Sequence, residues 1–255
     1  MVYKYYPPNE NSLDALWHQY FFFCNVEKLN DPYDTSFSLV MSEDFRERLH
    51  LTDEAGDIMK KYATCSFARS NNNMALWAHY ADSFKGFCLG FDESTFESMN
   101  DMYQARFIFQ DVQYVDEIID CNNPDATFHI NNVYGNCETY KIRDCYGEDP
   151  KIADKFFTYL AFIKDRKTWE NEEEIRIFTG KDLLERGLMP TGVSKGLNGY
   201  KINMPHNAIK SLIIGHNADK SIRECTVRMA NILDIPVYIT ETKFPFRIDI
   251  KEYYL

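Results

Sequence analysis

The stretch Trp169-Glu170-Asn171-Glu172-Glu173-Glu174-Ile175-Arg176-Ile177-Phe178 constrains this chain more than any other. Read as a β-strand, it puts Glu172, Glu174 and Arg176 on one face, because successive strand residues point to opposite sides. Ile175 and Ile177 then fall on the other face and anchor the strand in a core. Two carboxylates and a guanidinium in one row are costly to place near a core unless they pair. Such a row is either a salt-bridged sheet surface or the wall of an active site.

In an extended strand the Cα atoms of Glu172 and Glu174 stand roughly 6.5–7 Å apart, so both side chains can converge on one small ligand. A carboxylate facing a sugar stabilises an oxocarbenium-like transition state and accepts a hydrogen bond from the 2-hydroxyl. The same logic serves an N-glycosidic bond such as that between nicotinamide and ribose. Arg176 alongside keeps at least one carboxylate ionised.

Composition narrows the class. With 255 residues, 45% hydrophobic and 26% charged, the chain is long enough for a substantial core. Its 19 Phe and 17 Tyr favour a sheet-rich fold. No apolar run approaches the roughly 20 residues of a membrane span. Met1 to Pro8 shows no apolar leader region, so no secretory signal is expected. The seven cysteines are scattered and form no C-x-x-C pair, which argues against a zinc site and for a reduced, cytoplasmic protein. A net charge of −11 disfavours non-specific nucleic-acid binding.

A first strand covers Tyr3 to Tyr6. A helix capped by Asn11 or Ser12 turns Leu13, Leu16, Trp17 and Tyr20 inward. Tyr20 to Cys24 reads as a buried strand, Asn30 to Asp34 as a turn and Asp44 to His50 as a polar helix. Tyr62 to Ala68 alternates as a strand with Thr64 and Ser66 on one side. A short helix over Met74 to Asp82 carries Trp77, His79 and Tyr80, which can stack on a planar ring and bond its edge. Core packing explains the same aromatics, and His79 is either a general base or an ordinary helix residue. In Lys85 to Asp92, glycines on one face admit a ligand or another backbone. Residues 116–150 read as an irregular insertion. A helix through Ile152, Phe156, Leu160 and Ile163 leads directly into the Trp169 strand. Strand, helix and strand follow over Ser211 to Thr240. The expectation is one α+β domain over 1–255, with a mixed, strongly twisted sheet or split β-sandwich flanked by helices. P-loop, G-x-G-x-x-G, H-E-x-x-H and G-x-S-x-G motifs are all missing from the sequence.

In order, these pieces resemble a bacterial family, domain of unknown function 2971. The matching parts are Tyr3-Lys4-Tyr5, Leu29 to Asp34, Cys65-Ser66-Phe67, Trp77-Ala78-His79-Tyr80-Ala81-Asp82 with Lys85 to Cys88, Trp169 with Glu172, Glu174 and Arg176, and Leu212 to Gly215. Members often carry arginine after the opening Y-K-Y, where this chain has Tyr6. That resemblance implies a component of a mobile or phage-defence locus. A further resemblance, to ADP-ribosyltransferases, implies an NAD-cleaving fold and a toxin-like effector. It makes Glu174 the glutamate that stabilises the ribosyl cation, while Glu172 positions or activates the acceptor. Tyr5, Ser66, Trp77, His79, Tyr80, Lys85 and Arg176 would hold NAD as substrate, with no metal. The implied partners are a protein, RNA or DNA acceptor and an antitoxin or chaperone. A non-catalytic ligand-binding or sensor module is the alternative, with the glutamates holding Arg176 and Lys85 in place.

Overall fold

A computed structural model describes residues 1–29, 41–49, 60–131, 137–147, 149–185, 191–244 and 247–253. The Asn30–Asp34 turn and His50 lie outside these residues. The architecture is α+β, built on a mixed sheet of eleven strands. Its strands are β1 (Val2–Tyr6), β2 (Tyr20–Asn25), β3 (Tyr62–Ala68), β4 (Phe87–Phe91), β5 (Ile108–Asp111), β10 (Glu174–Gly180), β11 (Val193–Lys195), β12 (Gly199–Asn203), β13 (Ile209–Ile214), β14 (Val237–Lys243) and β15 (Arg247–Glu252). The main path runs β11-β12-β2-β3-β1-β4-β13-β14-β15, with β10 paired to β3 and β5 to β10. Among the described residues, β13 and β14 are the only parallel pair in this sheet. Two small sheets stand beside it: β6 (Gln113–Val115) with β9 (Ile163–Asp165), and β7 (Thr127–Asn131) with β8 (Cys137–Lys141). Residues 116–150, expected to be irregular, thus contain the β7–β8 hairpin and a 3-10 segment, Ile142–Tyr146.

Alternation along the strands separates two cores. Cys65, Phe67, Leu89, Ile175 and Ile177 face a large cluster closed by the helices Glu10–His18 and Lys220–Leu233. On the opposite face the helix Pro150–Ala161 packs Phe156 and Leu160 near Phe178, and the helix Met74–Tyr80 packs Leu76 and Trp77 near Tyr5. Asn9, rather than Asn11 or Ser12, caps the first helix by accepting the Ser12 N–H at 2.9 Å. Trp17 of that helix is exposed, not inward.

One feature of the sheet sets up the site. β3 gives one edge to β10 over its whole length. Its other edge is shared: β2 pairs only at Thr64 and Ala63, and β1 only at Ala68, opposite Tyr3. β1 meanwhile follows β4 over all five residues. β1 and β3 therefore diverge, leaving a fork in the sheet beside residues 65–67.

The glycines near β4 serve backbone packing. A Cβ on Gly86 would overlap the Tyr6 carbonyl oxygen, and one on Gly215 would overlap that of Phe84. Neither neighbour is a flexible side-chain end that could move aside. Gly86→Ala should lower stability by at least about 1–3 kcal/mol, the usual penalty of overpacking. A denaturant-unfolding midpoint unchanged from wild type would contradict this packing.

Candidate functional site

The charged row is built differently from a continuous strand. The Asp165 carboxylate accepts the Thr168 N–H at 2.9 Å and starts a helical turn, Arg166–Trp169. A 3-10 turn over Glu170–Glu172 follows, and Glu173 takes a left-handed conformation with φ 45°. β10 begins only at Glu174. Glu174 and Arg176 share a strand face as the alternation requires, but Glu172 approaches them from the turn. The helix Pro150–Ala161 likewise leads into β9 and not directly into the Trp169 segment.

Glu174 is 6% exposed and Arg176 1%. The guanidinium holds the carboxylate bidentately, Nε to Oε1 at 2.6 Å and a terminal nitrogen to Oε2 at 3.0 Å. Another terminal nitrogen donates to the Ala161 carbonyl at 3.2 Å. Lys164, its side chain 4% exposed, adds an ion pair to Glu174 Oε2 at 2.8 Å and one to Glu172 Oε2 at 3.2 Å. Its Nζ also lies 4.4 Å from the centre of the Trp169 ring. The Tyr80 hydroxyl completes the chain by donating to Glu172 Oε1 at 2.7 Å.

Small-sheet pairing explains why Lys164 arrives there. β6 and β9 run parallel with Tyr114 opposite Lys164, so both side chains leave the same face. Tyr114 uses its hydroxyl to accept the Glu174 N–H at 2.8 Å. One strand pair thus addresses both the backbone and the carboxylate of Glu174. Burial pushes the Glu174 carboxyl up, but Arg176 and Lys164 overcome it and hold the group down to about 2. Glu174 is therefore an ionised, fixed carboxylate and not a proton carrier near neutral pH.

Beside this cluster, at the β1–β3 fork, lies a cavity of about 290 Å³. Of the sequence-derived candidates, Tyr5, Ser66, Tyr80, Glu172 and Glu174 line it. Lys4 and Thr64, on strands already singled out by the sequence, line it as well, and so does Lys164, which no sequence signal marked. The Tyr5 hydroxyl is occupied, donating to Ser70 O at 2.8 Å, so Tyr5 contributes ring surface. Arg176 lies behind Glu174 and outside the lining.

Trp77, His79 and Lys85 stand elsewhere. Trp77 is fully buried, edge-on to Tyr5 at 5.2 Å and stacked on Phe84 at 5.5 Å, with its indole N–H on Asn71 O at 2.8 Å. His79 is exposed, and Lys85 is exposed and paired with Asp82 at 3.1 Å. The motif around them builds a turn. Asp82, Ser83 and Phe84 are successive left-handed residues with φ 47°, 55° and 66°. They reverse the chain so that Phe84 returns onto Trp77. Such conformations cost roughly 1–2 kcal/mol per residue, so tertiary contacts must hold the turn. Asn217 N–H on Phe84 O at 3.1 Å is one of them.

Among the described residues, no group of three or more His, Cys, Asp or Glu is arranged to hold a metal, and no helix is long and apolar enough to cross a membrane.

The ion cluster makes stability depend on pH in a defined direction. The folded pKa of Glu174 lies below its ordinary 4.5, so its contribution is fully present above pH 4.5 and is lost as pH falls toward about 2. A depression of that size corresponds to about 3 kcal/mol. Wild type should weaken steeply over this window, and Glu174→Gln should show a shallower dependence, as read from urea midpoints at each pH. Separately, Arg176→Met should cost about 3–5 kcal/mol by removing the bidentate partner of the buried Glu174 carboxylate. A loss below 1 kcal/mol would show the pair to be solvated.

No curated protein and no solved structure is significantly similar to the chain. Residues 76–177, which supply Tyr80, Lys164, Glu172 and Glu174, match the family described as Protein of unknown function (DUF2971).

Proposed function

We propose that the cavity is the active site of an ADP-ribosyltransferase-like enzyme, which breaks the nicotinamide–ribose bond of NAD and transfers the ADP-ribosyl group to a macromolecule. The supporting observation is the convergence of Tyr5, Ser66, Tyr80, Glu172 and Glu174, from well-separated parts of the chain, on one cavity. At about 290 Å³ it is at the small end of ligand pockets, suited to the reacting end of a dinucleotide.

In this reading the C1′–N bond breaks and its electron pair stays on the nicotinamide nitrogen, which loses its positive charge. Positive charge develops at C1′, and Glu174 faces it already ionised. A carboxylate fixed by Arg176 and Lys164 needs no reorganisation as that charge appears. The acceptor then bonds to C1′ and releases its proton to Glu172, which Tyr80 orients. The acceptor is a protein, RNA or DNA, and a role as a defence or toxin–antitoxin effector belongs to the same proposal.

A second reading rests on a specific observation: Arg176 occupies both oxygens of Glu174. If that carboxylate serves only as a wall, the cavity is a binding or sensor module without turnover. Incubation with labelled NAD and a lysate separates the two. The enzyme reading expects nicotinamide release and labelling, reduced about 10²–10³-fold in Glu174→Gln, the scale of losing a transition-state charge contact. Tyr80→Phe should keep the thermal midpoint within a few degrees yet slow release about tenfold. NAD that raises the wild-type midpoint without any nicotinamide release would favour the sensor instead.

A further inference from the structure

The fork between β1 and β3 has unused recognition capacity at the end of the cavity away from Glu174. Lys4 leaves β1 on the face opposite Tyr3 and Tyr5 and reaches across the fork, where its Nζ donates to Ser66 O at 2.8 Å. It lies 5.2 Å from the Phe67 ring centre. No described carboxylate is within ion-pair distance of Lys4, in contrast to Lys164, which two glutamates share. An ammonium has three donors: Ser66 O accounts for one of them and the Cys65 side chain lies within reach of a second, which leaves one open.

Two more donors line the fork, one in the plane of the sheet and one on the face opposite the Lys4 side chain. Ser66 lies opposite Arg176 in the β3–β10 ladder, and its carbonyl turns away from β10 toward Lys4. In an antiparallel pair the N–H and C=O of one residue leave by the same edge, so the Ser66 N–H also faces the fork. No strand pairs with β3 there between Thr64 and Ala68 among the described residues. Thr64, two positions away on the same strand face, lines the cavity at 1% exposure, and its buried Oγ1 has no hydrogen-bond partner. A buried hydroxyl left unpaired costs free energy unless a ligand or water satisfies it.

We propose that this fork is an anion subsite that binds the phosphate of a nucleotide, with Lys4 Nζ, the Ser66 N–H and Thr64 Oγ1 as donors. A phosphate offers several strong acceptor oxygens to donors arriving from different directions. Tyr3 and Phe22 on the adjacent wall give a base or ribose an apolar surface. Glu174 pairs with Ala68 at the far end of β3, so the cavity is polarised along that strand. The subsite would orient a nucleotide with its phosphate toward Lys4 and its sugar toward the carboxylates. It concerns binding alone and stands whether or not the bound molecule is cleaved.

Calorimetric titrations of the intact protein with AMP, adenosine and inorganic phosphate test it, since AMP and adenosine differ only in the phosphate. Wild type should bind AMP at least about tenfold more tightly than adenosine, the scale of a charge-assisted contact. Lys4→Met should abolish the preference and Lys4→Arg should retain it. Thr64→Val is the more discriminating variant: it should weaken AMP severalfold while leaving the thermal midpoint unchanged or raised. Equal binding of AMP and adenosine, no binding of AMP or phosphate by wild type, or a preference that survives Lys4→Met would each overturn the subsite. Missing nicotinamide release with an intact AMP preference would count against the NAD reading alone.

Discussion

The buried ion pair between Glu174 and Arg176 is the interaction on which the site depends. Two charges removed from water cost several kcal/mol each, and their mutual attraction offsets this only with good geometry and further partners. Those partners come from other segments. Lys164 arrives on β9, Tyr114 on β6 and the Ala161 carbonyl from the end of a helix. Satisfying one carboxylate therefore fixes the seating of a small sheet and a helix against the large sheet. Glu172 is tied to the same cluster through Lys164, and Tyr80 through Glu172.

The fork in the sheet supplies the space. A fully paired β1–β3 ladder would bring the strands about 4.8 Å apart and leave no room for a ligand. Here β1 follows β4 while β3 follows β10, so the two pairs separate beyond Tyr3 and Ala68. Tyr5 and Trp77 brace one wall, and Phe84 braces Trp77 from its left-handed turn. The Trp77-to-Gly86 motif is thus a scaffold for the wall, and of its side chains only Tyr80 reaches the cavity polar groups.

How much of this was legible follows from which interactions are local. The period of two correctly put Glu174 beside Arg176 and opposite Ile175, because that relation needs only the strand itself. It failed for Glu172, where the Asp165 cap and the left-handed Glu173 override a run that alternates by coincidence. An Asp three residues before Thr168 was the available signal for a helical turn. Tyr80 and Trp77 lie three apart on a helix, yet one reaches Glu172 and the other is buried against Tyr5 and Phe84, a division fixed by neighbours distant in sequence. Lys164 had no legible signal. Its role comes from lying beside Tyr114 across a parallel pairing of segments fifty residues apart. Lys4 was visible as part of the first strand, but its function in the fork depends on where β1 and β3 part, which no local pattern encodes.

The most direct test of this account is the charge state of Glu174 itself. A carboxyl-carbon NMR titration, with Glu174 assigned by its loss in Glu174→Gln, reads that state without reference to any ligand. A Glu174 held by Arg176 and Lys164 should give a glutamate resonance that stays at the ionised position through pH 4 and begins to move only toward pH 2. A Glu174 that titrates at its ordinary 4.5 would mean that Arg176 and Lys164 do not hold it. The fixed carboxylate wall on which the site is built would then not exist.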